Sequence, residues 1–321
     1  MPRKILRFGI IVDTQAALEI AFGGANKPCV LAGIDKIDPV SIVKGAYEKF
    51  GIKIIELPLD ANCLIPGIVL KKDSIRGMQR FRDLHQLEYT MHLPSFQVAL
   101  CSANAHVRRG SIEAMVETFK TCEMLGGINN YVLRLTGDLE DQVSLFHMAQ
   151  KYKELAWNHF LERGYDSLQE IISRTGIDPK KICIENSEGV PFSNMYDVII
   201  DEIGTSICLD VGHVVLQGDE AMIDFMRRWK DKVHEIHLHN VLCKYIANRC
   251  RVLDDHHGLA QGIIDVPLFL EYLEKIDFQH PVLLEVSSQK EIVDSISYLK
   301  ETGFMQTVLE HTPDVPIGNH F

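Results

Sequence analysis

Four short apolar runs in the second half of the chain each deliver a metal-binding type of side chain: Lys-Ile-Cys-Ile-Glu185, Ser-Ile-Cys-Leu-Asp210, Val-His-Glu-Ile-His237 and Val-Leu-Leu-Glu285. Each residue alone has an ordinary explanation. Glu285 could pair with a Lys or Arg, Asp210 could cap the following loop, and His237 could be a hydrogen-bonded core histidine. Together, three carboxylates and an imidazole at matching places in four successive runs point to one divalent cation. Burying a carboxylate without a partner is expensive, and a cation relieves a mutual repulsion that protonation would otherwise have to relieve. Oxygen donors with one imidazole suit Mn²⁺ or Zn²⁺, and Mg²⁺ or Co²⁺ as well, with three carboxylates leaning toward manganese or magnesium.

A second layer of polar residues follows these runs. His213 lies three residues after Asp210, and the stretch after His237 passes through Asp254-Asp255-His256-His257-Gly258. These imidazoles could shuttle protons near neutral pH over a bound substrate, or His213, Asp254 and His256 could hold another metal. A solvated, turn-forming polar loop is the plainer alternative.

Such residues meet only if the elements carrying them converge. β-rich apolar runs alternate with helical periodicity from residue 6 onward, and eight runs qualify as strands: Leu6–Val12, Ile52–Leu57, Leu87–Leu93, Asn130–Leu135, Lys181–Glu185, Ser206–Asp210, Val233–Leu238 and Val282–Val286. Ser111–Leu125 reads as an amphipathic helix with Ser111 as N-cap and Gly126-Gly127 as stop. The stretch Leu145–Gly176 is long enough for two helices broken near Gly164. Residues 13–40 read as an irregular loop over one barrel mouth. Eight βα repeats predict an α/β fold, a single (β/α)₈ barrel, with chemistry at the strands' C-terminal ends. Two-residue alternation then turns Cys183 with Glu185, Cys208 with Asp210 and Glu235 with His237 inward, and Ile184, Leu209 and Ile236 toward the helices.

Bulk properties agree with a small-molecule catalyst. The 321 residues allow one large barrel or two ordinary domains, and 46% apolar residues can fill a sizeable core. A net charge of -11 without a long basic run disfavours a nucleic-acid partner. The start of the chain lacks an apolar signal stretch and no window reaches membrane-spanning length, so a cytoplasmic protein without a membrane partner is expected. The eight cysteines form no C-x-x-C and read as reduced, buried thiols. Arg108-Arg109, placed in the loop after the third strand, could meet a phosphate or be a solvated pair. Gly23-Gly24 reads as a turn, because no further glycines follow to cradle a dinucleotide.

Glu185-Asn, Asp210-Val-Gly-His213, His237-Leu-His-Asn, Asp254-Asp-His256-His257 before a Gly-rich turn, and Leu284-Glu285-Val, in that order, resemble the xylose isomerase-like TIM barrel superfamily. The match is strong over residues 87–288 and weak over the first 86. That superfamily includes sugar isomerases and epimerases, dehydratases and endonuclease IV of AP endonuclease family 2. The resemblance implies a barrel domain over residues 1–303 with a tail at 304–321. It also implies a metal held by Glu185, Asp210, His237 and Glu285, with His213, Asp254 and His256 matching the ligands of a neighbouring zinc in endonuclease IV. His92 in Met-His-Leu-Pro falls where that enzyme places a metal histidine, but its fourth-strand His-Pro-Gly reads Leu135-Thr136-Gly137 here.

Two chemistries follow from the resemblance. In the isomerase and epimerase branch, Glu185 and Glu285 exchange protons at carbon, His213 holds a substrate hydroxyl, and His92, Arg134, His239 and His257 contact a small sugar, sugar phosphate or related compound. In the phosphodiesterase branch, two or three metals activate water against a phosphodiester, more readily a small one such as a corrinoid nucleotide loop than DNA. A non-catalytic barrel retaining its metal as a staple is the third reading. A homo-oligomer is compatible with all three.

Overall fold

The structure, a computed structural model, describes residues 5–12, 14–22, 38–60, 70, 73–137, 143, 146–187, 192, 195–215, 221–246 and 249–305. Eight parallel strands close into a barrel. Seven come in succession: β1 (Arg7–Ile11), β2 (Ile54–Pro58), β3 (Glu88–His92), β4 (Ile128–Leu133), β5 (Ile182–Glu185), β6 (Ser206–Asp210) and β7 (Val233–Leu238). An antiparallel pair, β8 (Asn240–Ile246) and β9 (Arg249–His257), precedes the eighth barrel strand, β10 (Pro281–Leu284). β10 pairs with both β7 and β1 and so completes the ring.

The helices are α1 (Thr14–Phe22), α2 (Pro39–Phe50), α3 (Ile75–His85), α4 (Ala105–Leu125), α5 (Gln150–Thr175), α6 (Met195–Val198), α7 (Val211–Val215), α8 (Ala221–Trp229), α9 (Val266–Lys275) and α10 (Gln289–Glu301). Strands covered on both faces must be apolar on both. Ile184, Leu209 and Ile236 accordingly join the main core with Phe119 of α4, Leu168 of α5 and Phe269 of α9. On the opposite, inward face, Val132, Cys183 and Cys208 form one cluster, and Ile11, Ile54 and Leu283 another. The barrel is thus a filled core. Among the described residues no helix is long and apolar enough to cross a membrane.

All eight expected strands form, with ends shifted by up to two residues, and four local expectations change. First, residues 14–22 of the expected loop are helix α1; residues 23–37, including Gly23-Gly24, lie outside the described residues. Second, α4 begins at Ala105. The Asn104 carboxamide accepts from the amides of His106 and Val107, which caps the helix two turns before Ser111. Ser111 instead accepts from the Ala99 amide and donates to the Val107 carbonyl, and Arg108-Arg109 sit on the helix.

Third, Gly164 does not break α5, which runs unbroken for 26 residues. A Cβ at Gly164 would come within 2.8 Å of Cys101 Sγ and 3.1 Å of Leu135 Cδ2, so the glycine permits close packing. Fourth, the stretch after His237 is the β8–β9 hairpin. Its residues lack strict alternation, and a hairpin with register shifts leaves little periodic signal. Cys122, Cys183 and Cys208 are free and buried, and the buried Cys101 thiol donates to the Leu135 carbonyl at 3.3 Å.

Candidate metal centre

Strand register brings the four sequence-distant side chains together. Glu185 ends β5, Asp210 ends β6, His237 is the penultimate residue of β7, and Glu285 directly follows β10. Asp210 pairs with His237, and the Glu285 amide donates to the Leu238 carbonyl at 3.2 Å, extending the ladder by one step. His237 Nδ1 lies 3.0 Å from Glu185 Oε1 and 3.1 Å from Glu285 Oε2. One ligand atom from each of Glu185, Asp210, His237 and Glu285 falls within 4.8 Å of all the others.

The strand ends are clamped. Asn186 accepts from the Asp210 amide at 2.8 Å and donates to the Asp210 carbonyl at 2.9 Å, tying β5 to β6. Asp210 Oδ1 accepts from the His213 amide at 2.9 Å and lies 3.1 Å from His239 Nε2. Its other oxygen, Oδ2, is buried without a hydrogen bond, as is Glu285 Oε2. Buried oxygens are rarely left so, and a cation is the partner that fits three carboxylates and an imidazole.

Electrostatics lead to the same reading. Burial pushes the Glu185 and Glu285 carboxyls upward, but imidazoles outweigh it: His237 and His92 hold Glu185, and His237 and His256 hold Glu285, well below the usual range. His237 is itself resisted by burial yet raised well above an ordinary histidine by anions including Glu285 and Glu56. Without a cation, the site neutralises its carboxylates with protons carried on imidazoles. A divalent ion would displace those protons.

The other expected residues divide into two groups. His92, His213, His239 and His256 reach the quartet. His92 Nε2 is 3.6 Å from Glu185 Oε2, its Nδ1 faces Asp60 at 3.4 Å, and its ring stacks on His237. His213 Nδ1 donates to the Asn186 carbonyl at 2.8 Å. His239 and His256 stack with centroids 4.4 Å apart, and His256 Nε2 approaches Glu285 Oε1 to 3.5 Å while its Nδ1 meets Asp255 at 2.9 Å. His256 adopts φ 57°, a left-handed backbone that a non-glycine residue holds only under constraint. Arg134 stands near enough to His213 to oppose its protonation.

His257 and Asp254 instead pair with each other at 2.9 Å, and His257 faces Glu291 of α10 at 3.5 Å. The trio His213, Asp254 and His256 is therefore not assembled, because Asp254 is drawn out to His257 and its side chain is largely exposed. The second group that does assemble is Asp210, His239, His256 and Glu285.

Glu56 and Glu235 were not expected as site residues. Both are fully buried inside the barrel beside His237. A carboxylate inside the apolar run Ile54-Ile55-Glu56-Leu57 was the available signal. Glu235 was readable only as an inward-facing neighbour of His237.

Residues 45–302 match the model of the xylose isomerase-like TIM barrel family. The chain belongs to that family. An uncharacterized protein of Methanocaldococcus jannaschii is 22% identical over 246 residues, covering 72% of this chain and 75% of its own. Among solved structures, a D-tagatose 3-epimerase-like protein superposes with TM-score 0.63 at 18% identity, over 92% of this chain and 97% of that one. The D-allulose 3-epimerase of Methylomonas sp. gives 0.61 at 14% identity, over 94% and 99%. Endonuclease IV of Thermus thermophilus gives 0.60 at 12% identity, over 92% and 98%. At such identities these likenesses establish the fold, and structures of both chemistries share it.

Proposed function

We propose that this member of the family is a divalent-metal-dependent isomerase or epimerase acting on a small sugar, sugar phosphate or related keto compound. The supporting observation is the pair Glu185 and Glu285, which flank His237 Nδ1 at 3.0 and 3.1 Å from two separate strands. A cation held by Glu185, Asp210, His237 and Glu285, Mn²⁺ or Zn²⁺ by donor type, would act as a Lewis acid toward vicinal substrate oxygens.

The chain's own residues supply the rest. One glutamate removes the proton at carbon and the other returns one, the two roles of a general base and a general acid. His213, anchored through Nδ1 to the Asn186 carbonyl and 3.5 Å from Asp210 Oδ2, would hold a substrate hydroxyl beside Asp210. His92 and Arg134 bound the same mouth from β3 and the segment after β4. His239 keeps Asp210 oriented.

A phosphodiesterase is the second reading, favoured by the assembled group Asp210, His239, His256 and Glu285, which could take another cation. The contacts of His239 weigh against it: Nε2 faces Asp210 Oδ1 at 3.1 Å, while Nδ1 meets the His256 amide at 3.0 Å and the Asn240 carbonyl at 3.2 Å. Engaged on both ring nitrogens, His239 would have to give up one of these contacts to become a ligand.

The deciding experiment loads the stripped protein with Mn²⁺ or Zn²⁺, counts the metal, and incubates it in D₂O with ketoses and their phosphates. Deuterium entering a carbon next to the carbonyl, with one metal equivalent bound, supports proton transfer. Hydrolysis of a model phosphodiester with two or more equivalents, and no exchange, would sink it.

A further inference from the structure

Beneath the four candidate ligands the barrel holds a second polar layer. Glu56 of β2 and Glu235 of β7 are both 0% exposed, and one carboxyl oxygen of each and a His237 ring nitrogen all lie within 4.8 Å of one another. Glu56 Oε2 accepts from Thr90 Oγ1 at 2.9 Å, and its Oε1 lies 3.3 Å from His237 Nε2, so Glu56 is ringed by donors. Glu235 Oε2 accepts from Asn130 Nδ2 at 2.7 Å. Glu56 Oε1 and His237 Nε2 are otherwise buried without hydrogen-bond partners.

His237 thus has a carboxylate on each ring nitrogen: Glu185 and Glu285 at Nδ1, Glu56 at Nε2. A histidine that gives one nitrogen to a metal commonly gives the N–H of the other to a carboxylate or carbonyl, which fixes its tautomer and ring orientation. We infer that Glu56 is the positioning residue of the candidate metal histidine, accepting the Nε2–H so that Nδ1 offers its lone pair to the cation. This rests on the metal reading of the quartet and names a residue that the four-ligand pattern does not include.

Glu56→Gln removes the charge that receives Nε2–H, whereas Glu235→Gln changes the neighbouring carboxyl and leaves that acceptor in place. Chelator-stripped full-length chain titrated calorimetrically with Mn²⁺ should lose about 10- to 100-fold in affinity with Glu56→Gln. Glu235→Gln should stay within a few-fold of wild type. Thr90→Val, which removes the other donor to Glu56, should give an intermediate loss and needs no change in either carboxyl. In Zn²⁺-loaded wild type, ¹⁵N shifts should place the His237 proton on Nε2.

Wild-type Mn²⁺ affinity in Glu56→Gln, or a Zn²⁺-loaded His237 protonated on Nδ1, would overturn the inference. Equal melting-temperature losses in Glu56→Gln and Glu235→Gln with unchanged Mn²⁺ affinity would mark a merely structural pair. A wild-type chain that binds no divalent ion overturns both this inference and the proposed function. Full Mn²⁺ affinity without turnover of any sugar removes the epimerase reading alone and leaves this one standing.

Discussion

The mouth of the barrel and its opposite end each hold a stacked histidine pair, and the two ends treat them in opposite ways. At the mouth, burial resists charging of His256, but Glu285 and Asp255 overcome it and raise the group to about 12. At the strands' N-terminal end, His234 and His280 stack at 4.4 Å, and among the described residues neither forms an ion pair with a carboxylate. There burial and the neighbouring imidazole push His280 down to about 4. The stacking is alike; the company differs. A histidine among carboxylates stands ready to trade its proton for a cation, whereas one packed on another histidine away from carboxylates is held neutral.

The largest expected effects lie at the mouth. His237→Ala removes a ligand and the cation that neutralises Glu185 and Glu285 when metal is absent. It should abolish Mn²⁺ binding and destabilise the stripped protein by about 3–5 kcal/mol, as breaking a buried charge pair does. Denaturant melts with and without metal check both. Glu285→Gln, which keeps the shape but loses the base, should lower kcat about 10²- to 10⁴-fold in the exchange assay. A smaller loss would remove Glu285 from the proton path.

Metal uptake should be strongly pH-dependent for the same reason. His237 and His92, raised well above the ordinary histidine value, carry protons that a cation must expel. Mn²⁺ affinity should climb as pH rises from 6 to 8. Calorimetric enthalpies should vary with the ionisation enthalpy of the buffer, since protons are released. Buffer-independent enthalpies would mean that the stripped site is already deprotonated.

A mutation on an outer helix tests whether packing alone can imitate these effects. Gly164→Val drives a branched side chain of α5 into Cys101 and Leu135. It should cost about 1–3 kcal/mol of stability. Mn²⁺ affinity should not change, because Leu135 only borders the loop after β4 while the ligands come from β5, β6, β7 and β10. A parallel loss of affinity would show that the mouth depends on the packing of α5.

What could be read from the sequence follows from how local each signal is. Glu185, Asp210, His237 and Glu285 close apolar strands, so period and position exposed them, and eight βα repeats were enough to name a barrel. The partnerships were not local. Glu56 meets His237 across 181 positions of chain only because β2 and β7 face one interior, and nothing near Glu56 announces Glu235. Asp254 looked like a ligand beside His256, but the hairpin's register gives it to His257. Gly164 looked like a helix breaker because the close approach of Cys101 and Leu135 is invisible from within the helix.

The smallest expected effect belongs to the quiet end and has the opposite sign in pH. His280 falls to about 4 in the fold, from about 6.5 when unfolded, so the unfolded chain binds more protons between those values. Its contribution to stability is complete above pH 6.5 and is lost as pH falls toward 4. His256, raised to about 12, contributes fully below pH 6.5 in the stripped protein and loses that contribution as pH rises. His280→Gln should therefore flatten only the acid limb of a stability profile measured by denaturant between pH 4 and 7. His256→Gln should flatten only the alkaline limb, followed by continuing the same profile above pH 7. His280 is partly solvated, so its share is modest and is read as the difference between wild-type and variant slopes. If both variants bend the same limb, the contrast between the two ends of the barrel fails.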